Sequence, residues 1–263
     1  MESVVPETRI HPTAIVDRSA RLDVGVSIGP YAVIDGDVEI GSGSVIGIHA
    51  HVAPGARLGR NVRVFDGAAV GNPPQDLKFG GERTELLVGD RTVIREFATL
   101  NRGTSASGRT IVGADCLIMA YAHVAHDNVL GDHVILANAV QLGGHVSLGD
   151  WAIIGGGTVV HQFCKVGAHV MVGGGFRVTQ DVVPYVIVGG YPLKTLSLNR
   201  VGLERRGFAE EQIAAMSQAF RIVFRAGLNM SQSLERLRTD CPDTPETRHL
   251  IEFISGAERG IIR

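Results

Sequence analysis

Between residues 123 and 162 the chain carries His123, His126, Asp127, Gly143, Gly144, His145, His161 and Gln162, a concentration of groups able to move a proton or hold a charge. Histidine changes protonation near neutral pH and is the commonest general base. A carboxylate directly after it, Asp127, can fix the tautomer of a nearby imidazole and support the imidazolium. A backbone N–H in the Gly143-Gly144 stretch can hold an oxyanion. No Ser of a G-x-S-x-G type accompanies them, so the set suits direct acyl transfer to an acceptor hydroxyl, with His as general base, better than a covalent acyl-enzyme.

Residues spread over forty positions work together only if the fold stacks them. Stepping by six from Ile10 to Val178, 26 of 29 positions are Ile, Leu or Val; the exceptions are Asp76, Glu82 and Ala106. A period of six is neither a single amphipathic helix nor a hairpin. It is the signature of a parallel β-helix, where short strands form flat faces and each aliphatic residue points inward onto its equivalent in the next coil. The position four residues on is small or β-branched (Ala14, Val26, Ala32, Val134, Val140), and Cys116 and Cys164 share it, which makes them packing residues. With three hexads to a coil, residues eighteen apart stack. His126, Gly144 and Gln162 then form one column, Gly143 and His161 the next, and Asp127 and His145 a third. His123 lies near the same corner.

The pattern breaks twice, at residues 72–87 and around residues 102–111. Both stretches are polar and Gly-bearing, and read as surface loops on a rigid coil, the kind of segment that carries function. Past Pro184 the hexad is gone. Ile213, Met216, Phe220, Val223 and Phe224 follow helical spacing with Gly227 as a stop, Ser231 can cap a helix carrying Leu234 and Leu237, and Thr244-Pro245 opens a last helix closed by Gly256. The expected organisation is a β-helix over residues 1–190 and a helical domain over residues 191–263.

Composition sets the outer limits. There are 34 Gly and only 5% aromatic residues, so stacked aliphatic side chains replace an aromatic core. A formal charge of −2 gives no footprint for nucleic acid. Three cysteines without a C-x-x-C pair, no apolar leader and no run of 18 apolar residues predict a cytoplasmic protein without membrane insertion. The histidines leave two other readings open. His123 and His126, three apart, match a zinc site loosely if a second subunit completes it, as in carbonic-anhydrase-like β-helices; alternatively the array is structural and the protein a binding scaffold.

The coil, QDLKF at Gln75–Phe79, RGT at Arg102–Thr104, AHVAHD at Ala122–Asp127, HQF at His161–Phe163, QDVVPYVI at Gln180–Ile187 and GLERRGF at Gly202–Phe208 together resemble the UDP-N-acetylglucosamine 3-O-acyltransferases, the family that starts lipid A synthesis. The resemblance covers essentially the whole chain. It implies a left-handed parallel β-helix with a C-terminal α-helical domain, a homotrimer with active sites between subunits, and transfer of a 3-hydroxyacyl chain from acyl carrier protein, with no cofactor or metal of its own. It also implies roles: His126 as general base, Asp127 as its orienting partner, Gly144 as oxyanion donor; Asp76 and His123 on the sugar, His145 and His161 lining the groove; Lys78, Gln162, Asn199, Arg205 and Arg206 on the nucleotide or phosphates; Gln75 among the substrate-binding residues; and Gly174 along the acyl groove. The related N-acyltransferases of the same pathway carry an extra N-terminal nucleotide-binding domain, for which a coil starting at Ile10 leaves no room. Asn101 stands where many relatives have His before the RGT, and Val201 and Pro192 also depart from the usual residues.

Overall fold

The structure, a computed structural model, describes residues 7–263. The start of the expected first domain, and part of the segment in which a leader was sought, lie outside the described residues. Strands of two to four residues, beginning with Arg9–Ile10, Ile15–Val16 and Arg21–Leu22, wind into a prism with three parallel sheets. In plain coils the register is eighteen residues, as in Arg9 with Ser27 and Leu142 with Val160. Each sheet takes every third strand, as a three-hexad coil requires. The inward aliphatic residues (Ile28, Ile34, Ile40 and onward to Val172 and Val178) are buried, and with them the small residues between, including Cys116 and Cys164. Each buried Val, Leu or Ile contributes roughly 1.5–3 kcal/mol against the cost of ordering the chain. Burial pushes the thiols of Cys116 and Cys164 up to about 11, so they pack rather than react.

The column weakens at its first member. Ile10 is about half exposed, because no coil lies beneath it among the described residues.

The two breaks are extruded loops that keep the hexad phase. Arg63 pairs with Val93 and Ala69 with Thr99, so the first turn carries twelve extra residues. Thr99 pairs with His123 and Leu86 with Thr110, so the second carries six. Both are multiples of six, which is why the aliphatic period resumes in step. The first loop is narrower than the break in the pattern, since the strand Ala69–Asn72 precedes it and Glu85–Val88 follows it.

The first sheet ends in an antiparallel pair, Val186–Gly189 with Lys194–Leu198. Four helices follow: α1 (Arg200–Arg205), α2 (Glu210–Arg225), α3 (Met230–Asp240) and α4 (Pro245–Ser255). Helix α4 begins and ends as its sequence predicts, with the Thr244 hydroxyl accepting from Thr247 N–H and Gly256 at the far end. Helix α3 starts earlier than Ser231. Its cap is Asn229, whose side chain accepts from Gln232 N–H while Gln232 answers to Asn229 N–H, a reciprocal pair that Ser231 has no partner to form. Helix α1 carries too short an apolar pattern to be read from sequence, and Asn199 caps it. Ala219, Val223, Leu250 and Ile254 share one core with the coil's last turns. No helix among the described residues is long and apolar enough to cross a membrane.

Candidate active site

At four corners of the prism the residue before the turn finds a side-chain acceptor for its amide. The amides of Ile48, Arg60, Ala114 and Asp132 each donate to an aspartate carboxylate (Asp66, Asp90, Asp132, Asp150) in the next coil. Gly144 occupies the same hexad position on another edge, but the residue one coil on is Gln162, and among the described residues Gly144 N–H has no acceptor. His126 sits one coil below. A Cβ on Gly144 would lie 2.6 Å from His126 Cε1 and 2.8 Å from Nε2, so the imidazole fills the space a side chain would need. This places a free backbone donor beside a histidine ring.

Asp127 follows at the corner itself, with φ +59°, and its side chain is wholly buried. His126 Nδ1 lies 2.7 Å from Oδ2. Thr104 donates twice, from N to Oδ1 (3.0 Å) and from Oγ1 to Oδ2 (2.7 Å), and the Ser107 hydroxyl donates to Oδ1. Burial acts to raise the Asp127 pKa, but the hydrogen bonds from Ser107, His126 and Thr104 outweigh it and hold the carboxyl at about 2. An ionised Asp127 can only accept, so His126 carries its proton on Nδ1 and presents the lone pair of Nε2. His145 Nε2 stands 3.6 Å from Oδ2; its ring meets His126 edge-on and stacks on Phe163 at 4.6 Å.

His126 opens into a cleft of about 440 Å³ lined also by His123, Gly143, Gly144, His161, Gln162 and Gln75. The coil brings together the residues that column arithmetic aligned, and the first loop adds Gln75. His123 is held through Nδ1 by the Thr99 hydroxyl at 2.7 Å, and burial, then the neighbouring His126, push its pKa down. His161 Nδ1 lies 3.0 Å from the Gln162 carbonyl oxygen, which orients its ring. His126, Asp127 and His145 could together hold a metal ion. Asp127 fits that role poorly, because both oxygens already accept two hydrogen bonds each.

A family model described as UDP N-acetylglucosamine O-acyltransferase, domain 2, matches residues 181–262. The acyl-[acyl-carrier-protein]–UDP-N-acetylglucosamine O-acyltransferase of Thiobacillus denitrificans is 50% identical over 255 residues, covering 97% of this chain and 99% of its own. The protein of the same name from Anaeromyxobacter dehalogenans is 49% identical, with 97% and 99% covered. Among solved structures, a UDP-N-acetylglucosamine acyltransferase from Bacteroides fragilis superposes with a TM-score of 0.95 at 42% identity, covering 97% of this chain and 100% of that one.

The chain belongs to the UDP-N-acetylglucosamine O-acyltransferase family.

Other residues singled out in this member of the O-acyltransferase family lie elsewhere. Asp76 and Lys78 share the first loop with Gln75, where Asp76 Oδ1 accepts from Lys78 N–H at 2.9 Å, but neither lines the cleft. Asn101 is buried and fastens the root of that loop, its Nδ2 donating to the carbonyls of Asn72 (3.2 Å) and Pro73 (2.6 Å). Asn199, Arg205 and Arg206 are not joined to His126 within one chain. Asn199 caps α1 and donates to His169 O at 2.8 Å, and Arg206 lies over the Trp151 ring at 5.1 Å. Arg205 closes α1 and is exposed. The rings of Trp151, His169 and Tyr185 stack along a different edge of the prism from Asp127, His145 and Phe163. Gly174, 48 residues after His126 and on a different edge of the prism, approaches Gly156 O, where a Cβ would stand at 3.0 Å. Beside it a groove of about 690 Å³ runs between Phe176, Arg177 and the Tyr191–Leu193 turn.

Thr104 and Ser107 are site residues that the histidine pattern does not reveal. Their signal was the small-hydroxyl run Gly103–Gly108 inside an otherwise aliphatic period.

Proposed function

We propose that this chain transfers a 3-hydroxyacyl group from acyl carrier protein to the 3-position of UDP-N-acetylglucosamine, in lipid A biosynthesis. The observation that carries the reading is one arrangement: an anionic buried Asp127, His126 oriented by it, and a Gly144 N–H, unpaired among the described residues, beside the same ring, all opening on one cleft.

The acceptor hydroxyl gives its proton to His126 Nε2 as its oxygen bonds to the thioester carbonyl carbon. Charge on the carbonyl oxygen meets Gly144 N–H, and Asp127 supports the imidazolium. Collapse breaks the C–S bond; the imidazolium returns its proton to the departing phosphopantetheine thiolate, leaving the acylated sugar and free carrier thiol. No metal or further cofactor enters the balance. Asp76, His123, His145 and His161 then attend the sugar, and Gln75, Lys78 and Gln162 the nucleotide side, with Gly174 bordering the path of the acyl chain.

A homotrimer completes the site. Outward positions of the first sheet are aliphatic in six successive coils: Val93, Leu117, Ile135, Ile153, Met171 and Ile187. All six are at least partly exposed in the single chain. The second sheet shows Thr99, His123 and Gln141 outward instead. An apolar face beside polar ones is a face that a partner covers. Asn199, Arg205 and Arg206 would reach the cleft from the neighbouring subunit, Arg binding phosphate bidentately. We place the enzyme in the cytoplasm, as three free cysteines suit. The organisation that goes with this reading is a catalytic β-helix over residues 1–190 and a helical domain over 191–263.

The test is His126→Ala, assayed by mass spectrometry with UDP-N-acetylglucosamine, its 3-amino analogue and a ladder of hydroxyacyl carrier proteins. Transfer is expected to fall by at least about 10³-fold in a chain that still folds and assembles. Near-normal turnover, or no product from the wild type with any donor, overturns the proposal.

A further inference from the structure

We infer that the six-residue insert after Asn101 is a positioning device for the acid–base pair: Thr104 and Ser107 fix Asp127 as a pure acceptor and so dictate which nitrogen of His126 is the base. This rests on the reading of His126 as general base and adds two positioning residues to it.

Proton accounting carries the argument. Oδ1 of Asp127 takes Thr104 N–H and the Ser107 hydroxyl; Oδ2 takes the Thr104 hydroxyl and His126 Nδ1. The Thr104 hydroxyl has one proton, and its oxygen accepts from Ala106 N–H at 3.2 Å, so the proton points at the carboxylate. Ser107 has a second acceptor within reach, the Arg109 carbonyl at 2.8 Å, but a charged acceptor makes the stronger bond. Two donors on each oxygen leave no place for a proton on Asp127. The only proton left to bridge it to His126 is the one on Nδ1.

The insert is built to hold that geometry. Gly108 N–H donates to Thr104 O at 2.8 Å and closes the loop on itself. A Cβ on Gly103 would stand 2.3 Å from Arg109 N, so the two ends of the loop touch. Thr110, where the chain rejoins the coil, accepts from Asp127 N–H at 2.8 Å. A plain hexad turn has no side chain in these places. One additional hexad supplies three of the four donors around the carboxylate.

Other titratable groups nearby do not replace these donors. His145 stands 3.6 Å from Oδ2, and His123 and His161 line the cleft beyond His126. Arg102 turns to the Pro54 and Gly71 carbonyls, Arg109 is exposed, and Glu85 faces Arg57 at 3.5 Å.

Removing the hydroxyls makes Asp127 more basic. A more basic carboxylate holds the imidazolium more strongly, so the catalyst is released for work only at higher pH, and the freed carboxylate can turn away from Nδ1.

The experiment is Thr104→Val/Ser107→Ala in the full chain, with steady-state kinetics across pH and a melting curve. Expected are a roughly 10–100-fold loss in kcat at neutral pH, KM for UDP-N-acetylglucosamine within about twofold of wild type, and an acidic limb of kcat/KM displaced upward by about half to one pH unit. Thr104→Ser alone, which keeps both hydroxyl donors, should show the profile of the wild type. If the double variant fails to fold, Ser107→Ala alone carries the same test. An unmoved acidic limb overturns the inference, as does an equal loss in Thr104→Ser alone. Activity remaining in His126→Ala would instead overturn the parent reading, so the two failures are distinguishable.

Discussion

Gly144→Ala is the sharpest perturbation the site allows, because it replaces one hydrogen with a methyl group at a place where only the catalytic ring stands. The backbone of Gly144 lies outside the left-handed region, so alanine is tolerated there and the N–H is kept. The added Cβ would stand 2.6 Å from His126 Cε1. That is about 0.9 Å short of an ordinary carbon–carbon contact. The ring cannot yield freely, since Nδ1 is bonded to Asp127 at 2.7 Å and His145 meets it edge-on. Either that bond stretches or Nε2 leaves the line of attack. A misplacement of about 1 Å costs on the order of 10²-fold in kcat, equivalent to about 2.7 kcal/mol of barrier. Because the sugar contacts are untouched, KM should change little. The decisive assay is a double-mutant cycle: in a His126→Ala background the same Gly144→Ala change should cost nothing further, since the methyl acts only through the imidazole. A full kcat in Gly144→Ala, or an equal loss in both backgrounds, would refute the reasoning.

Two further outcomes follow from the same geometry. Asp127 is buried and ionised with its pKa lowered from 3.8 to about 2, so it contributes about 2–3 kcal/mol of stability above pH 4, lost as the pH falls through 2. Asp127→Asn should therefore melt well below the wild type at pH 7, with a gap that narrows between pH 4 and 2; a gap independent of pH would contradict the assignment. On the outer face, Ile135→Asp/Ile153→Asp should leave a folded single chain by sedimentation and abolish transfer. A trimer of unchanged size would show that this sheet face is not the interface.

Much of the architecture was legible because the hexad is a physical requirement rather than a statistical preference. Each inward aliphatic residue must stack on its counterpart in the next coil, so Ile28, Leu136 or Val160 can be assigned to the core from position alone. The same arithmetic put His126 beside Gly144 and Asp127 beside His145. The cap at Asn229 and the short α1 were not legible, since reciprocal side-chain bonds and a six-residue helix leave little periodic trace. Asn199, Arg205 and Arg206 resist column arithmetic for another reason: they sit beyond the coil, on an edge that one chain alone does not bring to the cleft.

Thr104 and Ser107 were hidden in the segment where the period fails, and that location has a cause. A regular coil has its strand backbone groups and inward side chains committed to the ladder and the core, so it can expose a histidine but brings few side-chain donors to a buried carboxylate. At the equivalent place on the other edges the problem does not arise, because the aspartates Asp66, Asp132 and Asp150 face a backbone amide and stay near the surface. Burying Asp127 instead, one residue later and at the corner, demands donors that no hexad position supplies. The insert meets that demand with Thr104 N–H and two hydroxyls. Its length of one hexad lets it do so without shifting Val112 and every later aliphatic residue out of the column.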